Sequence, residues 1–528
     1  MNAASSDHNQ EQLKRQEAWI VSLQSQLSVA RQEVSWAKLK IQSLEEKLRQ
    51  ERVARFGPRS ENLSDLQLLL LGEEPSVTLD EVSAEAGREP LPDMAATTPS
   101  PASKRARRPH PGRQTLPGHL PRKEEVIPCA AEACQCESCG QPTVVIGYDE
   151  SERLDVEPAL YFVQVTKREK RACRQCAGRS VVAAPLPERI IEKGLVSDRV
   201  VVDTIVKKYC DHLPLYRQEA IWQREAGVEI SRATMDGWVM QAGELLIPVR
   251  AAMRQELLAR SYLQADETTV MVQTREKKGS NHEAYLWQFG QPGGGVVFEF
   301  AMGRGREVAA GFLGNWEGKL QTDAYVGYEK TGGAGLRHYG CWSHARRYYV
   351  DAVKVNANDI EATQMVLRMD ALFAVDREAK RLGVTGAERL ALRQEHARPW
   401  VEEIRAKSLE LKPRVLPKSK LGEALTYTIN QWDRLARCFE DGEVELSNNL
   451  AENSMRPWAL GRKNWLHVGS VKAGPKIAAI ASVVESCRRL CLPVAEYLLE
   501  VLPGLAGRPV SQVAQLTPAR WAAGRSKP

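Results

Sequence analysis

The chain has 528 residues, with 73 Lys and Arg against 67 Asp and Glu and a formal net charge of +6. That length exceeds one ordinary core and implies several folded units, while the charge excess is too small for the whole surface to bind nucleic acid. Any basic footprint is therefore local. The first twenty residues lack the apolar core of a signal peptide, and no segment reaches the ~18 apolar residues of a membrane span. These features predict a cytoplasmic protein with no membrane partner. In that compartment the 11 cysteines are expected to be reduced, so paired cysteines point to metal rather than to disulfides.

Residues 1–56 carry apolar side chains at a seven-residue step, Leu13, Ile20, Leu27, Val34, Ile41 and Leu48, with Leu23, Ala30, Ala37 and Leu44 three positions after their partners. This narrow seam predicts a left-handed coiled coil that pairs two chains, or more in a higher oligomer. The rival is one amphipathic helix packed on its own chain. Gly57-Pro58 ends the helix.

Residues 57–120 read as a linker poor in aromatics. It contains KRARRPHPGR, in which Arg105, Arg107 and Arg108 could lie along a DNA backbone or enter a narrow minor groove. A solvated charged linker is the equal alternative.

Residues 121–185 hold Cys136-x-x-Cys139 and Cys173-x-x-Cys176. Four thiolates in two knuckles suit one tetrahedral, structural Zn2+ in a ribbon-like domain, with strands expected in TVVIGY and ALYFVQVTKRE. Cys129 and Cys134 lie close enough to replace a ligand. Residues 190–250 read as three helices, with Gly227 closing the second and Ser231 capping the third. The short turn between the last two fits a helix-turn-helix that offers Arg232 and Thr234 to the major groove. Plain helical packing is the alternative.

Between 255 and 355 the pattern becomes strand, strand, strand, helix, strand, the order of an RNase H-like α/β core. Asp266, in QADETTV, falls on the first and central strand, and Asp323, in LQTDAYVGY, at the end of its neighbour. Close aspartates repel unless cations separate them, so two Mg2+ or Mn2+ ions fit hard carboxylate oxygens here. In GCWSHARRYY, a helix following a strand, Cys341, His344, Arg346 and Arg347 suggest either a further metal site or an approach of His344 and Arg347 to the aspartates. Core packing of His344 stands beside both.

Residues 356–440 are read as a helical insertion, with Met365, Met369, Leu372 and Phe373 on one helix face and another helix around Leu421 to Ile429. Residues 441–495 return to the core. There SNNLAENSMRP places Glu452 and Arg456 on one face at i,i+4. Glu452 either pairs with Arg456 or completes the metal shell while Arg456, Arg462 and Lys463 meet DNA phosphate. Residues 496–528 form a C-terminal segment. The fold class expected is thus multidomain α+β.

Taken in order, RFGPRSE, CESCG, IGYDESERLDVEPALYFV, ACRQC, KYCDHLPLYRQE, ADET, TDAYVGY, GCWSHARRYY, SNNLAENSMRP and GRKNWLHVGS resemble the transposases of the insertion sequence 66 family, DDE enzymes of bacterial mobile elements. The resemblance spans nearly the whole chain. It implies an N-terminal zipper, a zinc finger and a catalytic domain with Asp266, Asp323 and Glu452 as its acidic triad. It also implies double-stranded DNA, as element ends and target, for a partner, small companion proteins from the same element, and association with the bacterial nucleoid. Asn453 stands where the family more often has Arg. The rival functions are a DNA-binding regulatory protein that has lost cleavage, and a non-mobile nuclease of the same fold.

Overall fold

The computed structural model describes residues 161–171, 182–192, 194–274, 281–465 and 467–525, together with isolated positions between 26 and 51. The chain divides into two units, Leu91–Lys167 and the remainder, Met1–Pro90 with Arg168–Pro528. Of the first, only 161–167 are described, as a stretch without regular secondary structure that is exposed from 162 onward. The basic run with Arg105, Arg107 and Arg108, and the four cysteines Cys136, Cys139, Cys173 and Cys176, lie outside the described residues.

Every described position from 26 to 51 is helical, and the seam residues Val34, Ile41, Leu44 and Leu48 are each more than half exposed. The strand expected in ALYFVQVTKRE is not formed at 161–169, which has no regular secondary structure although the Glu169 carbonyl accepts the Ala184 N–H at 3.0 Å. Pairing starts one residue later: β1 (Lys170–Arg171) runs antiparallel to β2 (Val182–Ala183), with Lys170 opposite Ala183.

Three helices follow, α1 (Asp198–Tyr209), α2 (Leu215–Ala226) and α3 (Arg232–Leu258). Gly227 closes α2 in the left-handed region at φ 64°, a conformation a Cβ disfavours. Ser231 caps α3 by accepting the Thr234 N–H at 3.2 Å. α3 continues through Pro248 for 27 residues, about three turns past the expected end. Its apolar stripe of Met235, Trp238, Val239, Ala242, Leu246 and Val249 is buried, and tertiary burial of that stripe outweighs the local cost of one proline.

The sheet comprises β3 (Tyr262–Gln273), β4 (Asn281–Gly290), β5 (Val296–Ala301), β6 (Lys319–Gln321) and β7 (Arg337–Tyr339), in the order β5-β4-β3-β6-β7. β3 is central, antiparallel to β4 and parallel to β6, while β6 and β7 are parallel. Helix α4 (Arg306–Leu313) crosses from β5 towards β6. The expected strand in GKLQTDAYVGY stops at Gln321, and Val326–Tyr328 is a turn of 3-10 helix. The edge strand β5 is covered by α12 (Gly474–Arg489), whose Ser482 and Ser486 hydroxyls accept the Phe298 and Val296 N–H groups at 2.8 and 2.9 Å. α12 can lie close to α3 because Gly243 faces the Lys476 backbone: a Cβ there would sit 2.9 Å from the Lys476 carbonyl oxygen.

Beyond β7 run α5 (Trp342–Val355), α6 (Ile360–Arg381), α7 (Gly386–Leu392), a π-helical turn Arg393–Ala397, α8 (Arg398–Leu411), α9 (Lys420–Asn430) and α10 (Trp432–Arg437). Trp342, Tyr349, Met365, Met369, Leu372, Ile404 and Leu425 form their common apolar core. A buried ionic network ties these helices to the chain that returns to the sheet. Arg393 grips Asp376 through two bonds at 2.8 and 2.9 Å, and Arg389 grips Glu445 through two at 3.0 Å. Arg389 also bonds to Asp376. The chain then forms α11 (Asn449–Trp465) and, after α12, the short helices α13 (Val494–Val501), α14 (Val510–Val513) and α15 (Pro518–Arg525). Among the described residues no helix is long and apolar enough to cross a membrane.

Candidate functional site

The site is built from the register of two parallel strands. Gln264 on β3 stands opposite Gln321 on β6, and their side chains share a face, since the Gln264 amide donates to the Gln321 carbonyl oxygen at 2.9 Å. Strand side chains repeat every two residues. Asp266 and Asp323 each follow their glutamine by two positions, so the register itself brings them to one end of the sheet.

The same glutamines deliver the third acid. Gln264 donates to the Ser447 carbonyl and Gln321 to the Glu445 carbonyl, both at 2.8 Å. These bonds fix the segment that opens α11, and Glu452 lies in the first turn of that helix. Nothing in the spacing of Gln264 or Gln321 marks them as part of a site. Their role is visible only once the strands are paired.

Asp266 is half-buried and accepts the Glu267 N–H at 2.9 Å. Burial first, then the neighbouring Glu267, Glu452 and Asp323 carboxylates, push its carboxyl well above the usual carboxylate range. Asp323 closes a turn by accepting the Tyr325 N–H at 3.0 Å, and its own carbonyl accepts the Tyr427 hydroxyl of α9 at 3.1 Å. Ala324 between them is left-handed, at φ 80°. That is an uncommon state for a residue with a Cβ, and the surrounding bonds hold it in place.

Glu452 meets α5 rather than its own helix alone. Arg347 Nη2 lies 3.5 Å from Oε2, and His344 Nδ1 lies 3.5 Å from Oε1. Burial lowers the affinity of His344 for its proton, but the Cys341 sulfur and the Glu452 carboxylate beside it outweigh that and hold the imidazole at about 9. His344 and Arg347 thus both contact Glu452, and core packing is not the sole role of His344.

Glu267 is a fourth carboxylate that the spacing did not single out. Its side chain is 1% exposed, accepts the Tyr328 hydroxyl at 2.6 Å and pairs with Arg304, whose guanidinium lies over the Tyr325 ring at 3.8 Å. Of the other expected DNA contacts, Arg232 is exposed and pairs with Glu219 of α2 at 3.1 Å, and Thr234 is exposed beside Ser231. Arg456 and Lys463 are exposed on α11. Arg462 is engaged within the fold: its Nη1 donates to the Thr269 carbonyl at 2.8 Å and hydroxyl at 2.9 Å, which clamps α11 onto β3.

The donor set suits hard divalent cations. Asp266 is crowded by other carboxylates, and Glu452 Oε1 is buried without a hydrogen bond; cations placed among these oxygens would offset both costs.

These features define a carboxylate-centred site on a mixed α+β scaffold that is mostly helical around one small sheet. Residues 193–476 match the family model described as "Transposase IS66 family", 43–124 that of "Transposase C of IS166 homeodomain", and 133–177 that of the "zinc-finger binding domain of transposase IS66". The chain belongs to the IS66 transposase family, with its leucine-zipper, zinc-finger and transposase domains in order. Among its relatives in Sinorhizobium fredii (strain NBRC 101917 / NGR234), the uncharacterized protein y4qI is 34% identical over 483 residues, 88% of this chain and 86% of its own length. The uncharacterized protein y4jD is 30% identical over 425 residues, 77% of this chain and 82% of its own.

Proposed function

We propose that this chain is an active DNA transposase, which binds the terminal inverted repeats of an insertion sequence and carries out metal-dependent cleavage and strand transfer. The observation that carries this reading is the convergence of Asp266, Asp323 and Glu452, from β3, the end of β6 and α11, in a chain of this family. The strand order, with β3 central between the antiparallel β4 and the parallel β6, supports an RNase H-like core with 356–440 as its helical insertion.

Asp266, Asp323 and Glu452 would together hold two Mg2+ or Mn2+ ions. When bound, such a pair supplies an activated water or 3'-hydroxyl and neutralises charge gathering on the phosphoryl oxygens of an in-line displacement. The chain's own groups prepare that site. The two glutamines hold the aspartates level and fix the approach to Glu452. Tyr427 and the Asp323 turn keep the second acid in place, and Glu267 with Arg304 and Tyr328 stiffens β3 beside the first. Arg347, Arg456 and Lys463 would meet phosphate, as would Arg105, Arg107, Arg108, Arg232 and Thr234 on the earlier segments. Arg462 holds α11 to the sheet instead. The zinc-finger family match over 133–177 supports one structural Zn2+ on Cys136, Cys139, Cys173 and Cys176. The exposed seam at Val34, Ile41, Leu44 and Leu48 supports pairing of two chains on DNA.

The test is Asp266→Asn assayed on a cognate element end in Mg2+. End binding should persist while cleavage is lost; cleavage retained by the variant overturns the assignment. A wild-type chain that binds the ends but never cuts them would instead identify a regulatory DNA-binding protein.

A further inference from the structure

Three metal-binding side chains meet at the junction of α5 and α11. Cys341 is the residue before α5, His344 lies on the first turn of that helix, and Glu452 lies on the first turn of α11. Cys341 Sγ, a ring nitrogen of His344 and a carboxylate oxygen of Glu452 all lie within 4.8 Å of one another. The backbone holds them there. Gly340 N–H donates to the Arg434 carbonyl at 3.0 Å, and Trp342 N–H donates to the Leu446 carbonyl at 2.8 Å, so the start of α5 is tied to the segment that leads into α11. Residues three apart share a helix face, which directs Cys341 and His344 the same way.

Two polar atoms in this cluster face each other as an ion pair without a hydrogen bond. His344 Nδ1 and Glu452 Oε1 are both buried and make no hydrogen bond, although they stand 3.5 Å apart. Arg347 Nη2 stands 3.5 Å from the other carboxylate oxygen, Oε2. Buried polar atoms without partners are uncommon and point to a missing ligand.

We propose that Cys341, His344 and Glu452 form a soft-metal site that takes Zn2+ and, in doing so, withdraws Glu452 from the two aspartates. A thiolate and an imidazole select zinc over magnesium, whereas the aspartates offer only hard oxygens. Ligand atoms around tetrahedral zinc stand roughly 3–4 Å apart, so a small rotation of the Glu452 side chain closes the set. On binding, the Cys341 thiol and the His344 imidazolium each release a proton to solvent, the neutral imidazole gives a ring-nitrogen lone pair, and water would fill the fourth position. The two metal chemistries then compete for one glutamate, and zinc acts as an inhibitor. Only this inhibitory consequence rests on Glu452 serving the catalytic pair; zinc binding does not.

The test uses the full chain, purified with its own zinc finger loaded, and Co2+ as the spectroscopic probe. Wild type should show a near-ultraviolet thiolate-to-cobalt charge-transfer band that is absent from Cys341→Ser. His344→Ala should weaken cobalt binding by more than about tenfold. The second variant removes a partly exposed side chain, so it decides the matter even if the buried cysteine cannot be replaced without unfolding. Superimposable wild-type and Cys341→Ser spectra, or unchanged affinity in His344→Ala, overturn the proposal. In parallel, Zn2+ added to the Mg2+ cleavage reaction should inhibit wild type at lower concentration than it inhibits Cys341→Ser. Equal inhibition of both overturns the competition, and a chain that cuts nothing while binding cobalt through Cys341 overturns only the transposase reading.

Discussion

The Gln264 side-chain amide donates to the Gln321 side-chain carbonyl at 2.9 Å across the paired strands β3 and β6, two residues before Asp266 on the one and Asp323 just past the end of the other. Gln321 in turn donates to the carbonyls of Gly340 and Glu445 at 2.9 and 2.8 Å. Gln321→Ala takes a donor from the Gly340 and Glu445 carbonyls and an acceptor from Gln264 and Tyr262, at about 1–3 kcal/mol for each buried group left unpaired before the site relaxes. Cleavage should fall further than the loss of folded protein accounts for. Activity per folded molecule, from a cleavage assay normalised by denaturant titration, checks this; an unchanged value means that the glutamines only stabilise.

Tyr427 and Ala324 hold the Asp323 turn from two sides. Tyr427→Phe removes one hydrogen bond from a backbone carbonyl, worth about 1 kcal/mol, and should slow cleavage by about tenfold or less with little change in Tm. Ala324→Gly should be tolerated, because the left-handed backbone at φ 80° suits glycine, whereas Ala324→Val should destabilise by more than about 1 kcal/mol. Thermal melts of the pair distinguish a strained turn from an ordinary one. Equal melting temperatures would argue against strain.

Arg462 and Lys463 are neighbours with different roles. Arg462→Ala breaks the bonds to Thr269 that fasten α11 to β3 and should lower stability by roughly 1–3 kcal/mol. Lys463→Ala, on an exposed side chain, should leave stability within about 0.5 kcal/mol and lessen the salt dependence of DNA binding by about one phosphate contact. If Arg462→Ala weakens DNA binding without loss of stability, the clamp is misassigned.

Two buried glutamates should give opposite pH dependences. Burial pushes Glu445 up, but Lys380 and Arg389 outweigh it and hold the carboxyl down at about 2, below its ordinary 4.5. Its stabilisation is present above pH 4.5 and is lost as pH falls towards 2. Glu485 on α12 is pushed up by burial to about 7 despite Arg488 and Arg489. Its contribution is largest below pH 4.5 and is lost as pH rises through 7. Glu445→Gln should therefore destabilise at pH 7 and matter less at pH 3, whereas Glu485→Gln should gain on wild type between pH 5 and pH 8. Urea midpoints at each of these pH values measure both, and parallel pH profiles for wild type and Glu485→Gln would contradict the second.

The close approach at Gly243 gives a packing prediction. Gly243→Ala drives a Cβ against the Lys476 backbone, which cannot swing aside as a flexible side chain could. A loss of about 1–3 kcal/mol is expected, read from the shift in denaturation midpoint, and a neutral substitution would mean that α3 and α12 can slide apart.

Local chemistry made much of this molecule legible in its sequence. The Ser231 cap, the Gly227 stop and the face of Met365, Met369 and Leu372 follow from interactions within one or two helical turns, and β3, β4 and β5 follow from short apolar runs. The sequence motifs also sufficed for the family. What pairs with what was not written locally. The length of α3 depended on burial of its stripe against distant chain, and the shortness of β6 on the turn at Asp323 and Ala324. That Glu452 meets His344 and Arg347, that Arg462 fastens a helix, and that Gln264 and Gln321 level the acids are all outcomes of strand register and helix docking. Those are set by contacts between residues tens to hundreds of positions apart, and the spacing of acids along the chain carries no record of them.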